Sequence, residues 1–158
     1  MELVLEPVDL EALVADVVGS LRGSSGGLEF RAVTEQPVTA RTDGARLRQV
    51  LLNLIGNALK FTSEGSVQVV VRHDEAGARI DVEDTGIGIP DHRLASIFEA
   101  FHPADPSTGR QFGGTGLGLS LSQAFCEHLG VQLRASSKVG AGSVFSVVFP
   151  ANLLADAG

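Results

Sequence analysis

The segment from residue 43 to residue 61 constrains the fold most, because it has the pattern of one long helix with two chemically distinct sides. Apolar side chains recur along it at the spacing of a helix face, which predicts burial against other elements. Asp43 stands where an N-cap is expected, just before the first apolar repeat. The apolar face consists of Leu47, Val50, Leu51, Leu54, Ile55, Ala58 and Leu59.

A polar stripe runs along the same predicted helix, formed by Arg46, Gln49, Asn53, Asn57 and Lys60. At about 100° per residue these side chains fall within a narrow arc. Asparagine is a poor helix former, so two asparagines one turn apart in mid-helix need a reason. The stripe is either a solvated face or a ligand face, since amide oxygens suit Mg²⁺ and a lysine suits a phosphate. The stripe by itself leaves both readings open.

Segments on both sides of this helix predict further strands and helices. Residues 8–21 show helical spacing, and short strands are predicted from Leu28 and from Pro37. After the long helix, SVQVVVRH and ARIDVED form a predicted strand pair around the turn DEAG.

The C-terminal half predicts two more helices and a second strand pair. Residues 91–101 indicate a short helix, whereas residues 102–114 lack periodicity and indicate a mobile loop. Residues 117–129 predict a helix capped by Gly130 and followed by two strands. One face of that helix is predicted to hold Leu117, Leu121, Ala124, Phe125 and Leu129. Together the elements predict an α/β sandwich of the α+β class, with a mixed, mostly antiparallel sheet and helices packed on one face.

Composition excludes several classes of protein. The chain has 158 residues and a net charge of −7, which disfavours nucleic acid and anionic membranes as partners. No apolar run approaches the roughly 18 residues that span a bilayer, and the acidic start lacks the basic region of a signal peptide. The single Cys126 excludes an internal disulfide framework, so we expect a reducing, cytoplasmic setting.

Asp84 is a carboxylate at the end of a predicted strand. Alternation along ARIDVED places it on the same inward face as Ile80 and Val82, where an unpartnered carboxylate is costly. Such a carboxylate can accept a hydrogen bond from the exocyclic amine of adenine, and Gly86 and Gly88 let a flat ligand approach the backbone. The alternative is an aspartate that only caps the TGIG turn.

The stretch GGTGLGLSLS, residues 113–122, is rich in glycine and leads into a predicted helix. It lacks the Lys-Ser/Thr ending of a Walker A loop, and Leu119 replaces the third glycine of a dinucleotide fingerprint. The stretch alone therefore indicates either a phosphate-binding backbone or a flexible hinge.

Four motifs in order, NLIGNALKFT, DTGIGIP, IFEAFHP and GGTGLGLSLS, resemble the N, G1, F and G2 boxes of sensor histidine kinases. The resemblance covers nearly the whole chain, from about Val8 to Pro150. It is to the catalytic, ATP-binding domain of the GHKL superfamily, which also includes DNA gyrase and the heat-shock chaperone ATPases. It implies the Bergerat ATP-binding fold, ATP and Mg²⁺ as cofactors, and transfer of the γ-phosphate to a histidine.

The resemblance also implies roles for residues at the base end of the ligand. Asp84 matches the carboxylate that binds the adenine amino group, and Thr115 matches a threonine found near it. Gly86 and Gly88 match glycines beside the base, and Phe61 matches an aromatic residue that packs near the adenosine.

At the phosphate end, the resemblance assigns Asn57 to Mg²⁺ and places Asn53 close to the metal and the phosphates. Lys60 is implied to point toward the phosphates. The stretch Gly114, Thr115, Gly116, Leu117 and Gly118 matches the segment at which a lid closes over the phosphates.

The F box and the lid contain residues with two readings. Phe98 and Phe101 match phenylalanines that anchor the lid, and a plain core role fits them equally well. Arg110, inside the lid, either reaches a phosphate or is a solvated loop arginine.

The acceptor histidine is expected outside this chain, on a dimerisation hairpin of the same or a partner kinase. His73-Asp74 matches the acceptor dipeptide only superficially, because it lies at a predicted strand end. We expect residues 1–21 to connect from that hairpin, 22–150 to form the catalytic domain and 151–158 to be a tail. A response regulator is the implied downstream partner, and the setting is cytoplasmic, either alone or as part of a membrane-bound sensor.

Three alternatives share the domain. A hydrolytic GHKL ATPase typically carries a water-activating glutamate where this chain has Asn53. A serine kinase of the anti-sigma-factor type has the same ATP-binding domain, but the F box and the N-terminal connector favour a histidine kinase. A degenerate module that binds ATP only to make protein contacts is the third.

Overall fold

A five-stranded sheet forms one layer of the protein; from edge to edge its strands are β2 Glu29–Thr34, β4 Ser66–Asp74, β5 Gly77–Asp84, β7 Gly142–Pro150 and β6 Gln132–Lys138. The computed structural model of the chain describes residues 2–62, 64–75, 77–86 and 115–154. Strands β2 and β4 pair in parallel, and the other neighbours pair antiparallel. The predicted mixed, mostly antiparallel sheet is confirmed.

Three helices in the described residues share one core with the sheet: α1 Leu10–Leu21, α2 Gly44–Phe61 and α3 Thr115–Leu129. Short 3₁₀ turns span Arg22–Ser24 and Ala151–Leu153. Alternate strand residues pack against the helices, as the period of two requires. These buried residues include Val67, Val69, Val71, Ile80, Val82, Phe145, Val147 and Phe149.

The predicted long helix α2 is confirmed, including its cap. Asp43 has extended backbone angles, and its carboxylate accepts a hydrogen bond from the N–H of Arg46 at 3.1 Å. Every residue of the predicted apolar face is buried. None of the helices in the described ranges has the length and apolarity needed to cross a membrane.

The prediction of helix from residue 8 was wrong. Val8 lies in a short strand, β1 Glu6–Asp9, which pairs antiparallel with β3 Thr39–Thr42. Helix α1 begins at Leu10 because the Asp9 side chain accepts from the N–H of Ala12 at 3.2 Å and so caps it. The apolar spacing continued past the true boundary because Val8 fits either a strand or a helix pattern.

The predicted face of the third helix was also wrong in part. Leu121 is 48% exposed and Ala124 is exposed, whereas Ser122 and Cys126 are buried with Leu129. The buried side of α3 therefore carries two small side chains, Ser122 and Cys126, beside Leu129. The predicted cap is confirmed, since Gly130 has φ of 77° and the N–H of Val131 donates to the carbonyl of Cys126.

Predictions for residues 91–101 and 102–114 lie outside the described residues.

Candidate functional site

The polar stripe of α2 lies at the border between the core and the surface. Asn53 and Asn57 are half-buried, whereas Lys60 and Gln49 are exposed. The Asn53 carboxamide nitrogen donates a hydrogen bond to Ser122 Oγ on α3, at 3.2 Å. The stripe is therefore not a uniformly solvated face, because its middle contacts a neighbouring helix.

The N-terminus of α2 is fixed by a carboxylate with two backbone partners. Asp43 Oδ2 accepts from the N–H of Val4 at 3.0 Å, while Oδ1 accepts from Arg46. The hydrogen bond from Val4 lowers the pKa of Asp43 most, burial opposes it, and the net direction is down. The chain ahead of β1 is thereby tied to the start of the helix that carries the asparagines.

Asp84 ends β5 on the face that meets the helices, as predicted, and is half-buried there. Its carboxylate accepts from the N–H of Gly86 at 2.9 Å, so it does cap the turn that follows. Burial raises the pKa of Asp84, and hydrogen bonds from the N–H groups of Gly86 and Ser143 offset this only in part. A carboxylate has about four lone-pair positions, so capping leaves capacity to bind a ligand amine.

A cavity of about 500 Å³ opens beside Asp84. This volume lies in the usual range for small-molecule sites. Its lining also includes Ser136, Ser137, Ala141, Gly142, Ser143 and Val144. The cavity thus combines a half-buried carboxylate with hydroxyl and backbone groups.

The serines of this cavity were missed by sequence reasoning. Ser143 lies directly opposite Asp84 in the β5–β7 register, and its hydroxyl lies 2.7 Å from that of Ser137. Gly142 allows the start of β7 to lie close to the end of β5. Its φ is 98°, and a Cβ at this position would lie 2.0 Å from the carbonyl oxygen of Asp84. The sequence signal for Ser143 was its place at the start of the last strand, because antiparallel pairing with β5 brings the start of that strand opposite the end of β5.

On the opposite face of β5, a second carboxylate is fully satisfied by other side chains. Asp81 is hydrogen-bonded by Arg72, by Arg79 Nε at 2.9 Å and by Ser146 Oγ at 2.6 Å. Arg72 also bonds Glu83 and Glu35, each at 2.9 Å. This network stabilises the sheet, and its acidic and basic side chains pair with one another rather than with a ligand.

Several predicted site residues have no described side chain. Gly88, Gly114, Phe98, Phe101 and Arg110 lie outside the described residues. Phe61 ends α2, and α3 begins at Thr115 and continues through Gly116, Leu117 and Gly118. The roles predicted for all of these residues stay predictions. His73 lies on strand β4 opposite Ala78.

The donor chemistry of the stripe fits the implied metal. Asn53 and Asn57 stand one turn apart on α2, and their carboxamide oxygens are neutral, hard ligands of the kind that Mg²⁺ accepts. Lys60, a turn further along, adds a positive charge suited to a phosphate.

Known proteins match this chain along most of its length. A sequence model of the family described as "Histidine kinase-, DNA gyrase B-, and HSP90-like ATPase" matches residues 42–153. The chain is 38% identical over 157 residues to the aerobic respiration control sensor protein ArcB of Escherichia coli, covering 96% of this chain. It is 45% identical over 115 residues to the circadian input-output histidine kinase CikA of Synechococcus elongatus, covering 72% of this chain. The chain spans 20% of the length of the first relative and 15% of the second.

Solved structures agree with the sequence matches. Full-length ShkA in complex with AMPPNP superimposes with a TM-score of 0.80 at 33% identity, covering 97% of this chain and 33% of that one. The mycobacterial sensor histidine kinase MprB gives a TM-score of 0.77 at 27% identity, covering 93% of this chain and 97% of that one. The fold class and the resemblance carried by the four motifs are confirmed.

Proposed function

The chain belongs to the family of histidine kinase-, DNA gyrase B- and HSP90-like ATPases, and on that premise we propose that it is the ATP-binding catalytic domain of a sensor histidine kinase. It transfers the γ-phosphate of ATP to a histidine on a separate helical domain. Asp84 carries the proposal: a half-buried carboxylate at the end of β5, beside a cavity of about 500 Å³. Family membership supports ATP as the nucleotide.

Asp84 selects the base. Its carboxylate accepts a hydrogen bond from the 6-amino group of adenine, whereas the 6-oxygen of guanine would face it as a second acceptor. A site built to bond one donor rejects an analogue that lacks the donor, because the buried acceptor then loses its partner. Gly86 and Gly88 let the ring lie near the backbone, and Phe61 packs near the adenosine.

The α2 stripe holds the phosphate end. Asn57, with Asn53 beside it, would hold Mg²⁺ through carboxamide oxygens, and Lys60 would meet the phosphates. When bound, the ion neutralises charge on the transferring phosphate. The backbone of Gly114, Thr115, Gly116, Leu117 and Gly118 supports the phosphates, because glycines permit close approach and the start of α3 adds positive N-terminal character.

Asn53 favours transfer to a protein over hydrolysis. A water-activating residue has to take a proton, and a carboxamide hydrogen-bonded to Ser122 has no basic group to do so. Catalysis therefore rests on positioning and charge neutralisation, and any base next to the acceptor belongs to the acceptor domain. The partners are a dimerisation and acceptor hairpin and a downstream response regulator, in a cytoplasmic setting.

The proposal is tested by binding first and by transfer second. Calorimetry on the chain should show Mg-ATP binding, with Mg-GTP bound much more weakly. With γ-labelled ATP, label should then appear on a supplied histidine-bearing hairpin, while phosphate release from the isolated domain stays very slow. Equal affinity for GTP contradicts the assignment of the base. Brisk phosphate release, at the rates of dedicated ATPases, contradicts the kinase.

A further inference from the structure

Ser122 on α3 reaches the polar stripe of α2 from a setting that is unusual for a hydroxyl. It is completely buried, at 0% exposure, and the neighbouring residues on the buried side of α3, Cys126 and Leu129, are apolar. A hydroxyl removed from water is costly unless it is hydrogen-bonded. Its recorded partner is the carboxamide nitrogen of Asn53, 3.2 Å from Ser122 Oγ.

The direction of this hydrogen bond determines which end of Asn53 is presented to a ligand. A carboxamide carries its donor nitrogen and its acceptor oxygen on opposite branches. When Ser122 holds the nitrogen, the oxygen takes the branch that faces away from this contact. A cation can use only that oxygen, since the NH₂ group is a donor.

Resting on the function proposed above, we infer that Ser122 is a positioning residue for the nucleotide site: its hydroxyl holds the Asn53 carboxamide with the oxygen presented to the Mg²⁺–triphosphate. An alanine at this position would fill the contact between α2 and α3 nearly as well. It would leave the carboxamide able to rotate, so part of the binding energy would be spent on ordering it. In this inference Ser122 acts through Asn53 and is not itself a ligand of the metal or the phosphates.

Ser122→Ala tests the inference in two ways. In the nucleotide-free protein, the side-chain NH₂ resonances of Asn53 should shift and exchange faster with solvent. The Mg²⁺ concentration for half-maximal ATP binding should rise about three- to tenfold, the loss expected from one neutral hydrogen bond. Binding of ADP in EDTA should stay unchanged, because without the metal it depends on Asp84 and not on the Asn53 carboxamide.

Cys126→Ala is the matched control. Cys126 lies one turn further along the same buried side of α3 and also loses a single heavy atom. It should leave the Mg²⁺ dependence unchanged. In the background of Asn53→Ala, Ser122→Ala should cause no additional loss, since the two residues act as one unit.

The outcomes separate this inference from the function on which it rests. A wild-type chain that does not bind Mg-ATP contradicts the proposed function. A wild type that binds, together with an unchanged Ser122→Ala, overturns the positioning role alone. Equal shifts in Ser122→Ala and Cys126→Ala also overturn it, because packing would then explain both. If Ser122→Ala does not fold, Ser122→Cys replaces it, since a thiol is a weak acceptor of similar shape and should give an intermediate shift.

Discussion

Asp81 and Asp84 lie on the same strand, β5, but their pKa values are shifted in opposite directions. Asp81 has a side chain only 4% exposed, yet its pKa is lowered. Burial pushes that pKa up, but hydrogen bonds from Ser146, Arg79 and Arg72 more than offset it. Asp84 has a larger exposed fraction, yet burial raises its pKa, and hydrogen bonds from the N–H groups of Gly86 and Ser143 offset this only in part.

The difference indicates which carboxylate serves the fold and which serves a ligand. A buried charge with two arginine partners has its desolvation compensated inside the protein. A half-buried charge without a cationic partner keeps part of that cost, and a ligand donor can relieve it on binding. The position of each aspartate along β5 determines its partners. Side chains alternate between the two faces of the sheet, so Asp81 lies on the face that carries Arg72 and Arg79, whereas Asp84 lies beside the cavity.

Removing the Asp81 carboxylate should have the largest effect on stability. Asp81→Ala leaves Arg72 and Arg79 facing each other without their shared partner, which should lower the free energy of unfolding by about 3 kcal/mol. Urea unfolding followed by circular dichroism measures the loss. Glu83→Gln, which removes a more exposed partner of Arg72, should cost less than about 1 kcal/mol.

The affinity for Mg-ATP should depend little on Asp81 and strongly on Asp84. Asp81→Ala should bind Mg-ATP as the wild type does at a temperature where it is folded. An affinity loss without unfolding would show that the open face of the sheet is part of the site.

Asp84→Asn should mainly weaken nucleotide binding. Asparagine can still accept from Gly86 but has lost its charge, and a hydrogen bond to a charged group contributes about 1.5–3 kcal/mol. The affinity for Mg-ATP should therefore fall about ten- to a hundredfold in calorimetry. An unchanged affinity, or one that falls only because the variant unfolds, would show that Asp84 does not bind the adenine.

Asp43 extends the comparison to a buried carboxylate that accepts from two backbone N–H groups, those of Val4 and Arg46. Asp43→Ala removes the acceptor for Val4 and Arg46 and should destabilise the domain by about 1–2 kcal/mol. Asp9→Ala is the control, since Asp9 caps α1 at an exposed position with one N–H and should cost about 0.5–1 kcal/mol. Equal losses from both variants would show that the contact with Val4 adds nothing.

Sequence reasoning predicted most of the fold because strand and helix periods are local. It gave the helix from Asp43, the strands of the sheet and the inward face of Asp84. It misplaced Val8, since a strand of a few residues between apolar neighbours has no period of its own. It missed Ser122 and Ser143, because a buried serine is recognised only by what it meets across the fold, here Asn53 and Asp84.

The smallest effect expected concerns pH and has opposite signs for the two kinds of carboxylate. The pKa of Asp84 is raised in the folded state, so its contribution to stability is present below the unfolded pKa of about 3.9 and is lost as pH rises through the folded value. At neutral pH the ionised group therefore costs stability in the nucleotide-free protein. Asp84→Asn should raise the free energy of unfolding at pH 7 by about 0.5 kcal/mol, and the gain should vanish near pH 3.5.

Asp43→Asn provides the opposite sign for that measurement. Its pKa is lowered, so its contribution is present above about 3.9 and is lost as pH falls through the folded value. The variant should be less stable than the wild type at pH 7 and approach it under acid. Urea midpoints of the three proteins between pH 3.5 and 7.5 make the comparison. If Asp84→Asn is instead less stable than the wild type at pH 7, the Asp84 charge stabilises the fold, as that of Asp81 does. That result would contradict the assignment of Asp84 to ligand binding.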